Sequence, residues 1–203
     1  MLFNRCYKID RMIKAIIFDC YGVLLGQGFW HTYAAAGGNV EADKEFLHEQ
    51  LSAMNSGAQS SDDFDLHIAE QLHISLEKWQ SMKYLQELPS VQLFNFIRTH
   101  LKPRFKIGMI SNASAGSVER RLSPEQLSLF DVLAISAEIG MLKPQPEIYQ
   151  YTARKLGVEP DECIFIDDYP EYAKAAQAVG MQGIIYSDFD SFKREIEKML
   201  AAK

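Results

Sequence analysis

Four short stretches carry residue types that could do chemistry together. The first is Asp19, which ends the apolar run Ala15–Phe18 and is followed by Cys20, Tyr21 and the turn glycine Gly22. The second is Ile110-Ser111-Asn112, where a hydroxyl and backbone amides could hold an anionic oxygen. The third is Lys143, stiffened by Pro144 and able to set an ammonium over a phosphate and a carboxylate. The fourth is Asp167-Asp168 after the apolar run Cys163–Ile166. Adjacent carboxylates behind a buried run are costly unless paired or bound to a cation. Hard oxygen ligands without sulfur or imidazole suit Mg²⁺. Each stretch also has a plain reading: a strand end, a Ser-Asn turn, a surface Lys-Pro loop, or a helix N-cap ahead of Pro170. Cys20 is conceivable as a thiol nucleophile, but no His stands near it, and a buried Cys is usually a small hydrophobe.

The elements that must position these residues alternate. Ala15–Phe18, Phe105–Ile110, Val132–Ile135, Cys163–Ile166 and Gly183–Tyr186 read as five buried strands. Helical patterns over Ser117–Phe130 (broken at Pro124), Pro146–Leu156 and Pro170–Val179 separate the last four, and a helix from Asp190 or Ser191 closes the chain. Gly157 and Gly180 stand as helix stops. The alternation predicts a Rossmann-like α/β fold: a parallel five-stranded sheet with helices on both faces. A parallel sheet binds its ligands at the carboxyl ends of its strands, where all four stretches lie.

Residues 26–88 interrupt this order with no convincing strand. They read as four helices: Phe29–Ala36, Val40–Met54, Asp62–Leu72 with Ser61 or Asp62 as cap, and Leu76–Leu88 capped by Ser75. A core helix follows from Pro89, with Val91, Phe94, Ile97 and Leu101 on one face. The insert holds ten Asp and Glu, three Lys, and His31, His48, His67 and His73, which read as surface or packing residues. The division is therefore an N-terminal extension (1–11), a core (12–25 and 89–203) and a helical cap (26–88).

Composition bounds the function. A chain of 203 residues can build one good core with a small insert. Its 47% hydrophobic and 24% charged residues are ordinary for a globular protein. The net charge of -6 argues against nucleic acid or an anionic membrane as partner, though not against a small anion in a pocket. Cys6, Cys20 and Cys163 are too far apart for a disulfide framework or zinc site, which points to a reducing cytoplasm. No apolar run is long enough to span a membrane, and the first residues lack a secretory h-region.

Taken in this order, the four motifs resemble the haloacid dehalogenase (HAD) superfamily over residues 13–187, with an insert like that of the small mobile helical-cap subfamily. The resemblance implies Asp19 as the nucleophile of an aspartyl intermediate. It implies Ser111 (beside Asn112) as the phosphate-binding hydroxyl and Lys143 as the charge-stabilising group. Asp168 would be a direct Mg²⁺ ligand and Asp167 a supporting one, with the Tyr21 backbone carbonyl completing the set. Phe29, Trp30, His31 and Tyr33 are candidate substrate-side residues. One position departs from the family phosphatases: Tyr21 stands where most carry a general acid–base Asp, and the family's haloacid dehalogenases commonly carry Tyr there. Those enzymes work without metal and use a cap Arg, yet this sequence has no Arg between Arg11 and Arg98. The expectation is a Mg²⁺-dependent phosphatase of a small phosphorylated metabolite, working as a monomer or homodimer. The alternatives are a metal-independent 2-haloacid dehalogenase and a catalytically weakened binding or regulatory protein. A phosphomutase is disfavoured because it needs the missing acid most.

Overall fold

The computed structural model describes residues 12–26 and 28–201. The 1–11 extension therefore lies outside the described residues. Five strands form one parallel sheet: β1 (Ala15–Phe18), β2 (Lys106–Ser111), β3 (Val132–Ile135), β4 (Cys163–Asp167) and β5 (Gln182–Ile185). Their order is β3-β2-β1-β4-β5. The apolar run of β1 pairs on both sides, with β2 and with β4. Ile16 and Phe18 pack into one core layer, and Ala15 and Ile17 into the other. That two-sided burial is why the strand shows no polar alternation.

The register places the chemistry. Phe18 is level with Met109 and with Ile166. The next residues along are Asp19, Ile110 and Asp167, with Ser111 one step further. From β3 the chain returns to β4 on the other side of β1 and reverses its winding, and such a switch point between β1 and β4 opens a crevice at the strands' carboxyl ends.

After β1 come α1 (Phe29–Ala35), α2 (Lys44–Asn55), α3 (Ser61–Gln71) and α4 (Leu76–Gln86). Ser60 and Ser75 cap the last two through their side chains. These helices enclose a cluster of their own, including Tyr33, Leu47, Phe64, Ile68 and Trp79. The chain leaves and re-enters the sheet through two adjacent segments. Gly26 N donates to Leu88 O and Ser90 N to Leu24 O. A second tie is Ser136 Oγ, which donates to Asn55 O over 2.6 Å.

The remaining helices are α5 (Val91–Phe96, running into a π-turn over Ile97–Leu101), α6 (Pro124–Leu127), α7 (Ser136–Ile139), α8 (Pro146–Leu156), α9 (Pro170–Ala178) and α10 (Phe189–Ala201). Several differ from the sequence expectation. The helix expected over 117–130 shrinks to α6. Pro124 holds Ser123 extended (ψ 158°), and Ser123 and Gln126 form a capping box that starts the helix there. Val91 is exposed, while Leu93 and Phe96 join Phe94, Ile97 and Leu101 inside. Asp188 accepts from Ser191 N and so opens α10 two residues early. No described helix is long and apolar enough to cross a membrane.

Candidate active site

Asp19 follows β1 directly, and its N–H donates to Ile166 O of β4 over 2.8 Å. Its carboxylate is 6% exposed. Asp167 ends β4 fully buried, and its Oδ1 accepts from Tyr169 N. Lys143 reaches between them from the loop after α7. Its Nζ lies 2.7 Å from Asp19 Oδ1 and 2.7 Å from Asp167 Oδ2. The rings of Tyr172 and Phe165 stand 4.8 and 5.7 Å from the same ammonium.

Asp168 opens toward the cleft and lies against the turn that follows β1. A Cβ at Gly22 would fall 2.3 Å from Asp168 Oδ2, and Gly22 has φ +92°. Only glycine fits this turn with the carboxylate in place. Oxygens of Asp19, Asp167 and Asp168 lie within 4.8 Å of one another. Three carboxylates thus face one ammonium. The donor set is all hard oxygen, which fits Mg²⁺.

The electrostatics follow. Burial pushes the Asp19 carboxyl up to about 8; Lys143 opposes this, and Asp167 and Asp168 add to it. The Asp168 carboxyl is raised by partial desolvation and then by Asp167. Lys143 is held charged: Asp19 and Asp167 outweigh its burial.

Ser111 ends β2 on the same cleft. Its Oγ is buried and makes no hydrogen bond. A buried hydroxyl without a partner is uncommon and calls for a ligand or water. The Asn112 side chain has a different use. It donates to Lys143 O (2.9 Å) and accepts from Lys143 N (2.8 Å), so it clamps the lysine's backbone from the cleft wall. Tyr21 lines the cleft but packs against the core, and burial raises its phenol well above the ordinary value. Cys20 is fully buried, and desolvation raises its thiol too, so it is no nucleophile.

The cleft has a volume of about 670 Å³ between the sheet ends and the insert. Phe29, Trp30 and His31 line it. Tyr33 does not: it is fully buried inside the insert and donates to Asp43. Sequence reasoning missed His48, which lines the cleft with its ring 5.4 Å from Trp30. It also missed Tyr169, Tyr172 and Tyr186. Trp30 and His48 come from different helices, α1 and α2, and no spacing rule links them.

A profile of the haloacid dehalogenase-like hydrolases matches residues 13–180. The chain belongs to this family. A provisionally named phosphatase of Bacillus subtilis, YhcW, is 25% identical over 214 residues, covering 93% of both chains. Bifunctional epoxide hydrolase 2 of Rattus norvegicus is 40% identical over 70 residues, which span 34% of this chain but 13% of that protein. Two solved structures share the fold. A HAD family enzyme of Bacteroides thetaiotaomicron, in complex with magnesium and inorganic phosphate, is 19% identical with a TM-score of 0.64, covering 89% of this chain and 98% of that one. A 2-haloacid dehalogenase of Pseudomonas syringae is 17% identical with a TM-score of 0.57, covering 88% and 90%.

Proposed function

We propose that this HAD-like hydrolase is a Mg²⁺-dependent phosphatase acting on a small phosphate monoester. The observation that carries the reading is the cluster itself: three carboxylates have oxygens within 4.8 Å of one another, and two of them pair with one ammonium. Such a site repels any anionic substrate until a divalent cation offsets it. Asp19, Asp168 and the Tyr21 carbonyl would hold the ion, with Asp167 supporting Asp168 and anchoring Lys143. When bound, Mg²⁺ supplies charge neutralisation between phosphate and carboxylates.

The residues of the chain do the rest. Ser111 Oγ donates to a phosphate oxygen, and Lys143 offsets the charge that gathers on the phosphoryl group. An Asp19 oxygen attacks phosphorus, and the bond from phosphorus to the leaving oxygen breaks. Tyr21 packs against the core with its hydroxyl beside Ser117, so the leaving alkoxide takes its proton from water. Water then attacks phosphorus. Inorganic phosphate departs, its surplus proton passes to solvent, and the Asp19 carboxylate is restored. Residues 26–88 act as the cap, with Phe29, Trp30, His31 and His48 facing the substrate.

The name of the full-length relative and the magnesium–phosphate complex of the B. thetaiotaomicron enzyme support this reading. The dehalogenase alternative is weakened by the cleft lining. Among its described residues Lys143 is the one Lys or Arg, leaving no cap cation for a haloacid carboxylate. A weakened binding protein would have no need of all these groups together. Phosphomonoesters and 2-haloacids should be assayed with Mg²⁺ and with EDTA. Phosphate release that requires Mg²⁺ is expected; halide release in EDTA would replace this reading with the dehalogenase.

A further inference from the structure

A second cavity lies beside the cleft, between the insert and the loop after β2, with a volume of about 120 Å³. It shares Tyr21, Phe29, Leu51, Asn55 and Asn112 with the cleft wall. Met54 and Phe64 add to its apolar lining. The volume exceeds several times what one water needs.

Its charged neighbours are already paired. Lys83 donates to both oxygens of Asp65, at 2.8 and 3.1 Å. Glu87 accepts from Arg121 over 2.6 Å. Among the described residues of its lining, no unpaired cation remains for a second phosphate or a carboxylate. Two buried polar atoms on the lining are poorly met: Asn55 Oδ1 has no partner, and Ser117 Oγ has only the Tyr21 hydroxyl nearby. Ser117 stands beside Tyr21, which lies on the shared wall. Asn55 is held in place by its backbone bond to Ser136, so its side chain is presented from a fixed point. Buried polar atoms so poorly met are uncommon, and two on one small cavity point to something that meets them.

We infer that this annex is a subsite for the uncharged part of the leaving alcohol: a short apolar body carrying a hydroxyl that meets Asn55 and Ser117. The inference rests on the phosphatase reading for its substrate and on the cavity for its chemistry. It selects against bisphosphates and carboxylated phosphates, which would bury an unpaired charge there. Only the far end of the chain reaches the annex, and each methylene buried there should raise kcat/KM by roughly fourfold.

The test compares methyl, butyl and hydroxybutyl phosphate as substrates with Mg²⁺, beside a binding assay that needs no turnover. Hydroxybutyl phosphate is expected to exceed methyl phosphate at least tenfold in kcat/KM, and butyl phosphate at least threefold. Ser117→Leu and Asn55→Leu each fill the annex and should cut the tenfold ratio to below threefold; two variants guard against one failing to fold. In the binding assay, butanediol should shift the Met54 methyl resonance saturably in the wild-type protein. Equal kcat/KM for all three esters overturns the annex while leaving the phosphatase reading intact. If no phosphomonoester is turned over, the phosphatase reading fails, and the Met54 resonance decides the annex alone. A saturable shift then supports a small-alcohol site, and no shift means that the annex holds water only.

Discussion

The sheet ends and the insert wall face each other across one cleft, and they are built in opposite ways. The sheet side is polar and rigidly registered. Asp19 and Asp167 are neighbours because Phe18 and Ile166 are level in the ladder, and Lys143 is locked from three sides by two carboxylates and Asn112. The insert side is aromatic, with a cluster of its own, hung from the paired segments around Leu24–Gly26 and Leu88–Ser90. The difference separates two tasks. Charge chemistry needs oxygens fixed by a ladder that cannot shift by a residue without breaking. Substrate choice needs a shaped wall that can vary without touching those oxygens.

If that separation is right, damage to the sheet side should spread into the whole fold. Lys143→Met leaves Asp19 and Asp167 buried with no ammonium between them. Breaking a buried pair by removing one partner costs about 3–5 kcal/mol. For a chain of this size that lowers Tm by roughly 10 °C in denaturation scans without metal. A Tm within 2 °C of wild type, on the order of the scatter such a scan shows, would mean that the cluster is not charged as described.

The same cluster sets a pH dependence. An Asp19 carboxyl at about 8 in the fold, against 3.8 in the unfolded chain, binds its proton more tightly when folded. Stability from this group is therefore full below about pH 4 and is lost as pH rises toward 8. A cation must displace that proton. Apparent Mg²⁺ affinity should rise between pH 6 and 8, by up to about tenfold per pH unit, in titrations of the protein alone. A flat profile would remove Asp19 from the metal site.

Much of the sheet side was legible because Asp19, Ser111 and Asp167 stand at strand ends, whereas Lys143 comes from a loop. Ala15–Phe18 and Cys163–Ile166 announce buried strands, and the next polar residue is the site. Two details escaped. Gly22 reads as a turn residue, and only the structure shows Asp168 resting where its Cβ would be. Asn112 reads as an anion binder, yet it is spent on Lys143 across 31 positions of sequence. The insert wall was half legible. Phe29, Trp30 and Tyr33 look alike as an aromatic cluster, but helical rotation sends Tyr33 inside and Trp30 to the cleft. His48 reaches the cleft only because the fold brings its ring from α2 to that of Trp30 on α1.

Changes on the insert wall should be milder and confined to binding. Trp30→Ala removes one aromatic face from the cleft. Its expected effect is a KM raised roughly tenfold with kcat within about threefold, since truncating one contact side chain costs on the order of 1 kcal/mol. A collapse of kcat instead would mean that the wall takes part in the chemistry.

Tyr21 lies on the sheet side yet should behave as filler. Tyr21→Phe is expected to leave kcat for an aryl phosphate within about twofold, because an aryl leaving group has little need of general-acid help, worth roughly 10²–10⁴ where it is needed, and this buried phenol has its hydroxyl beside Ser117. A hundredfold loss would make its hydroxyl the missing acid.

The central claim is that the Asp19 carboxylate accepts the phosphoryl group. The direct measurement is acid quench of the protein during turnover of an aryl phosphate with Mg²⁺, followed by mass analysis of the peptide containing Asp19. A phosphoryl group on Asp19, absent in EDTA and absent in Asp19→Asn, is the predicted result. An unmodified Asp19 peptide in protein that releases phosphate with full activity in EDTA would contradict it.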